Sequence, residues 1–199
     1  SLVVAGSAYA ADVFCRPSVK EKKLGLEITL RNPTGAEQKV QVVNEALPAA
    51  GGGKAEKVFA PAEATLAAGQ EQTLKLGEAW ETPKLWWPDD PQLYRLVTKV
   101  LVGGKIADVR VTPFGFREWD WSGKQFKLNG VPWLLFADTT QSGGGKTRES
   151  AEAAVAFWRK SGQNMWRFWD DKFGGKERAE ALDFMDQRGV IVRASGIFD

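Results

Sequence analysis

The stretch WRFWDD at 166–171 sets an arginine between two tryptophans and closes on a pair of carboxylates. Arg167 and Asp170 supply charge and hydrogen bonds, while Trp166 and Trp169 offer flat apolar faces. That mixture suits a sugar, because rings stack on its C–H faces and charged groups bind its hydroxyls. The competing reading is packing, in which Trp166 and Phe168, alternating with Arg167, lie against helices. Asp138 ends the apolar run WLLFAD and is similarly placed. A second dense stretch, LWWPDDPQLY at 85–94, reads as a sugar platform, a structural corner or the mark of a larger architecture.

Other groups that could do chemistry are weaker. QSGGGKT at 141–147 ends like a phosphate-binding loop, but the first glycine of that pattern would fall at Thr140, so the motif fails. Its plainer reading is a flexible loop. Asp183 and Asp186, three apart on a helical stretch, read as surface or capping residues. Trp119 and Trp121 alternate around Asp120 and read as packing between two domains.

The sequence contains no histidine and one cysteine, Cys15. Ser-His-Asp and Cys-His triads, an internal disulfide and a Cys/His zinc site are thereby excluded. Carboxylates, Lys, Arg or Tyr must carry any chemistry, and no cofactor or metal is expected. With 27 basic and 25 acidic residues, the net charge of +2 is spread thinly, which argues against a nucleic-acid partner. No apolar run reaches the length of a membrane span, so no membrane partner is expected. SLVVAGSAYA contains an Ala-x-Ala-like AYA, yet Gly6 and Ser7 break its apolar run and no basic segment precedes it, so a signal peptide is disfavoured.

These residues need elements to position them. In LGLEITL, Leu24, Leu26, Ile28 and Leu30 alternate with Gly25, Glu27 and Thr29, the period of a half-buried strand, and the turn-forming RNPTG follows. QKVQVVN, QTLKL, LYRLVTKVLV and KIADVRV repeat the pattern, and GGK at 103–105 predicts a hairpin between the last two. About seven such strands over residues 1–118 predict an immunoglobulin-like antiparallel β-sandwich.

From residue 119 the grammar changes. Asn129-Gly130 predicts a turn between two apolar stretches. Ala151, Ala154, Val155 and Trp158 then trace one face of a helix with Thr147 as N-cap and Gly162 past its end. QNMWRFW predicts an aromatic strand, KERAEALDFMDQRG a helix closed by Gly189, and VIVRASGIF a further strand. The resulting β-α-β-α-β order over 119–199 fits a small open parallel sheet or the first part of a (β/α)8 TIM barrel.

Five motifs in order, LWWPDDPQLYRLVTKV, PFGFREW, FKLNGVPWLL, GQNMWRFWD and DFMDQRGVIV, resemble glycoside hydrolase family 2, the group of β-galactosidases, β-glucuronidases and β-mannosidases. The resemblance runs from about residue 12 to 199. It implies that LWWPDDPQLY is a structural signature in which Pro88 and Pro91 set a turn and Trp86 or Trp87 packs at a domain seam. It implies that residues 1–11 leave an upstream jelly-roll domain and that 119–199 open a catalytic barrel. Hydrolysis in the family is retaining and uses two glutamates after later barrel strands, so neither catalytic residue is expected within this chain. The resemblance makes Arg167 the second-strand arginine that supports the nucleophile, and places Asp138, Trp169 and Asp170 along the substrate pocket. The family's histidine-containing stretches are absent here, which points away from β-galactosidase and β-glucuronidase specificity.

The expected function is therefore that of part of a retaining glycoside hydrolase acting on oligo- or polysaccharides, inactive alone, with the rest of the parent enzyme and a carbohydrate as partners. The alternative is a non-catalytic sandwich that binds carbohydrate or protein. Homo-oligomerisation stays open. So does location, with a periplasmic or extracellular place better suited to polysaccharide breakdown than the cytoplasm.

Overall fold

The computed structural model describes residues 6–51, 53–136, 148–169 and 175–195, with residues 167–169, 175–178 and 194–195 described by backbone alone. It divides into two compact units, Ser1–Lys84 with Leu93–Glu118, and Leu85–Gln92 with Trp119–Asp199.

The first unit is an antiparallel β-sandwich. One sheet has the order β1 (Tyr9–Ser18), β2 (Lys23–Arg31), β6 (Glu71–Ala79). The other runs β4 (Lys57–Val58), β3 (Gln38–Pro48), β7 (Leu93–Val102), β8 (Lys105–Gly115), with β5 (Ala62–Leu66) also paired to β3. The predicted alternation is realised: Leu24, Leu26, Ile28 and Leu30 on β2 are all buried, as are Val40 and Val42 on β3 and Leu96 and Val100 on β7. Each strand turns its other face outward, and burial of its apolar half drives the sheets together.

The turns follow from residue type. Gly103 and Gly104 take φ values of +57° and +77°, the left-handed pair that a tight hairpin between twisted strands demands. Asn32, in the RNPTG turn, is buried and fully occupied. Its Nδ2 donates to the carbonyls of Ala36, Leu66 and Ala67 at 2.8, 3.1 and 2.9 Å, and its Oδ1 accepts from the Thr34 N–H and hydroxyl. An arginine and an aspartate on β8 hold the bulge in β1. Asp108 Oδ2 accepts from the Ala10 N–H at 2.9 Å, and Arg110 Nη1 donates to Ala11 O at 2.6 Å.

The second unit contains a small antiparallel sheet of order β11 (Val131–Pro132), β10 (Lys127–Leu128), β9 (Trp119–Asp120). Asn129 and Gly130, at φ +52° and +81°, form the predicted turn between β10 and β11. Trp121 is 71% exposed, and the Ser122 N–H donates to Asp120 Oδ1 at 2.8 Å.

There follow α1 (Arg148–Lys160), β12 (Met165–Trp169), α2 (Gly175–Gln187) and β13 (Ile191–Ser195), with β12 and β13 parallel. Parallel neighbours need a crossover, and α2 is that crossover. Val155 and Trp158 from α1, Met185 from α2, and Trp166 and Val190 form one buried cluster, with Ala154, Ala181, Phe184 and Val192 packed around it. The helical face read in the sequence is therefore the buried one at Val155 and Trp158.

Candidate functional site

The C-terminal ends of parallel strands are where sheets and barrels of this type bind ligands. In the second unit, β12 and β13 are in register from Met165 opposite Ile191 to Trp169 opposite Ser195. Arg167 stands at the centre of β12, its backbone paired with that of Arg193, and Trp169 is the strand's last residue. Asp138 and Asp170 lie outside the described residues, as does the SGGGKT loop. Trp166 resolves in favour of packing: it is 9% exposed and belongs to the helix-facing cluster.

The segment that leads to Asp138 is held by a side chain. Asn164 Oδ1 accepts from the Phe136 N–H at 2.7 Å and its Nδ2 donates to Leu134 O at 2.6 Å, while the Asn164 and Met165 N–H groups both reach Phe136 O at 3.1 Å. The carboxamide thus imitates one step of a parallel ladder and sets residues 134–136 beside the start of β12. Residues 133–136 form no strand, and Asn164 holds 134–136 by hydrogen bonds instead. Nothing in the hydrophobic pattern marked Asn164; its only signal was a carboxamide immediately ahead of an aromatic run.

The base of β13 is fixed by the end of α2. Val190 N–H reaches Met185 O at 2.9 Å and Gly189 N–H reaches Asp186 O at 3.3 Å, the paired bonds of a glycine-terminated helix, with Gly189 at φ +66°. The Leu85–Gln92 excursion completes this cap. Trp86, only 1% exposed, donates its Nε1–H to Asp186 O at 2.9 Å, and its own carbonyl accepts from Asn129 Nδ2 at 3.0 Å. Pro88 O approaches so closely that a Cβ on Gly189 would lie 2.0 Å from it. Reciprocal backbone bonds between Trp87 and Asp90, at 3.1 and 3.2 Å, close a tight turn around Pro88 and Asp89. Trp87 lies against Trp133 with ring centroids 6.1 Å apart. LWWPDDPQLY is therefore a structural corner, since its central indole has no face free for a sugar.

A charge pair joins the two helices. Arg188 Nε donates to both carboxylate oxygens of Glu152 at 3.0 and 2.8 Å, Arg188 Nη2 adds a third bond, and Arg159 donates to the Arg188 carbonyl. The Arg188 guanidinium, aided by Arg148, holds the Glu152 carboxyl below its ordinary value. This fork fixes α1 to the end of α2 and leaves neither group for catalysis. Among the described residues no group of three or more His, Cys, Asp or Glu could hold a metal ion, and no helix is long and apolar enough to cross a membrane.

The family is identified by comparison with known proteins. The profile of glycosyl hydrolases family 2 matches residues 8–117, more than half of the chain, and the chain belongs to that family. A β-galactosidase of Bacteroides ovatus is 30% identical over 185 residues, 88% of this chain and 21% of that protein. A β-galactosidase of Vibrio vulnificus is 43% identical over 65 residues, 32% of this chain and 6% of the other. Among solved structures, a family 2 β-galacturonidase from Eisenbergiella tayi bound to galacturonate superposes with a TM-score of 0.76 at 22% identity, over 96% of this chain and 33% of that one. The chain thus spans about a fifth of the first relative and a third of that structure.

Proposed function

We propose that this chain supplies the immunoglobulin-like sandwich, residues 1–118, and the opening strands of a (β/α)8 barrel, residues 119–199, to a retaining glycoside hydrolase of oligo- or polysaccharides. Family membership supports the hydrolase class, and the three-strand and five-strand sheets support the sandwich type. The observation that carries the barrel reading is the parallel β12–α2–β13 unit, with Arg167 in the middle of β12. In this reading Asp138, Arg167, Trp169 and Asp170 line the substrate side of the barrel. The acid and the nucleophile of a retaining mechanism, two carboxyl groups about 5–5.5 Å apart, come from outside these residues.

Arg167 then acts through charge, holding the nucleophile ionised and oriented. The test is Arg167→Met in the polypeptide as its native source makes it. The expected result is a fall in kcat of about 100-fold or more on activated aryl glycosides, with the acidic limb of the pH profile shifted upward as the nucleophile loses its cation. An unchanged kcat and pH profile would remove Arg167 from the site.

A further inference from the structure

The outer face of the second sheet carries a concavity of about 530 Å³ lined by Lys39, Gln41, Glu63, Thr65, Leu101 and the Gly103–Gly104 turn. That volume lies within the range of about 300–1,000 Å³ common for small-ligand sites. Its construction follows from register. Lys39 is opposite Thr65 and Gln41 opposite Glu63 across β3 and β5, while Gln41 faces Leu101 on β7 and Leu101 in turn faces Ile106 on β8. Directly opposed residues share a face of a sheet. One wall of the groove is therefore polar, and Leu101 supplies its apolar side.

The polar wall is unused. Lys39, Gln41, Glu63 and Thr65 make no side-chain hydrogen bond or ion pair among the described residues. Elsewhere on the same sandwich comparable charges close on each other: Lys99 with Glu45 at 2.9 Å, Lys57 with Glu78 at 2.8 Å, Arg16 with Glu27 at 2.9 Å. Lys39 and Glu63, diagonal neighbours, stay apart across the concavity and cancel in charge. A site with a cationic donor, an anionic acceptor, a carboxamide, a hydroxyl and no net charge matches an uncharged polyhydroxyl ligand, whose C–H face fits the Leu101 side.

We infer that this groove is a glycan-binding subsite, separate from hydrolysis, that takes a neutral sugar unit of a polysaccharide chain. The choice of a glycan rests on the hydrolase reading; the groove itself does not. Such a site would hold a polymer near the enzyme by effective concentration and leave the reacting bond untouched.

The test titrates the 199-residue chain with defined galactan, mannan and xylan oligosaccharides, following backbone amide shifts. The expected result is saturable shifts at residues 39–41, 63–65 and 101–104. Lys39→Ala and Glu63→Ala should each weaken binding by about fivefold to tenfold, while Arg16→Ala on the other sheet leaves it unchanged. Both groove substitutions are on exposed side chains, and an unchanged thermal midpoint confirms folding. Binding that survives both groove variants, shifts located elsewhere, or no binding to any of the three glycans overturns the subsite. Turnover by the parent polypeptide is read independently, so loss of the subsite with turnover intact leaves the hydrolase reading standing.

Discussion

The indole Nε1 of Trp86 donates to the carbonyl of Asp186, 100 residues further along, at 2.9 Å. Helix ends expose carbonyls that need donors, and here a tryptophan from the Leu85–Gln92 excursion supplies one for α2. Trp86→Phe keeps an aromatic body and deletes the donor. A loss of about 1 kcal/mol is expected, against about 3–5 kcal/mol for Trp86→Ala, which also opens a cavity. Amide exchange at Arg188–Val190 reads this locally, and equal protection in wild type and Trp86→Phe would remove the capping role.

Gly189 and Gly162 both follow helices with positive φ, +66° and +76°, yet their surroundings differ. A Cβ at Gly162 meets open space, whereas one at Gly189 would strike Pro88 O. Gly162→Ala should cost about 1–2 kcal/mol, the left-handed penalty alone. Gly189→Ala should cost clearly more, and near-equal losses in urea unfolding would contradict the close approach of the Pro88 carbonyl.

Asn164 carries the 134–136 segment on its carboxamide. Asn164→Ala leaves the Phe136 N–H and Leu134 O without it, a loss of about 1–3 kcal/mol concentrated in that segment. Faster exchange at Phe136, with the α1 amides unaffected, is the expected signature.

Glu78 accepts from Lys57 Nζ first and from the Ala60 N–H next, and both hold its carboxyl below the ordinary value of 4.5. A carboxylate with a lowered folded value stabilises fully above its unfolded value, and that stability disappears as pH falls through the folded one. The sandwich should therefore lose this contribution below pH 4.5. Glu78→Gln should flatten that part of the stability profile, and an unchanged slope would show that the bond to Lys57 contributes nothing.

Burial pushes the Cys15 thiol up to about 12, so it is protonated at neutral pH and a poor nucleophile. Iodoacetamide at pH 8 should modify Cys15 in the folded chain more slowly than in 6 M guanidinium. Rapid labelling of the native protein would contradict the environment described for β1.

The sandwich strands and their turns were legible because they depend on local signals: alternation at Leu24–Leu30, paired glycines at 103–104, Asn-Gly at 129–130. The first helix of the second unit was readable from its 3.6-residue periodicity, and both helices from their terminal glycines. What escaped was tertiary. Trp86 has the same composition signal whether it stacks on a sugar or caps a helix, and only Asp186, far along the chain, decides between them. Asn164 sits outside any periodic pattern, so its part in holding residues 134–136 had no local trace. For the site, the sequence placed Arg167 and Trp169 on one strand, and the described backbone has them on β12.

The central claim, that these residues belong to a retaining hydrolase whose reacting carboxylates lie elsewhere, is tested most directly by trapping the glycosyl–enzyme intermediate. The polypeptide from its native source would be incubated with activated 2-deoxy-2-fluoro glycosides and digested for peptide mass mapping. The account predicts a mass gain of one sugar on a glutamate outside residues 1–199, and no label on the 199-residue chain treated alone. A stable sugar adduct on a carboxylate within residues 1–199 would contradict it.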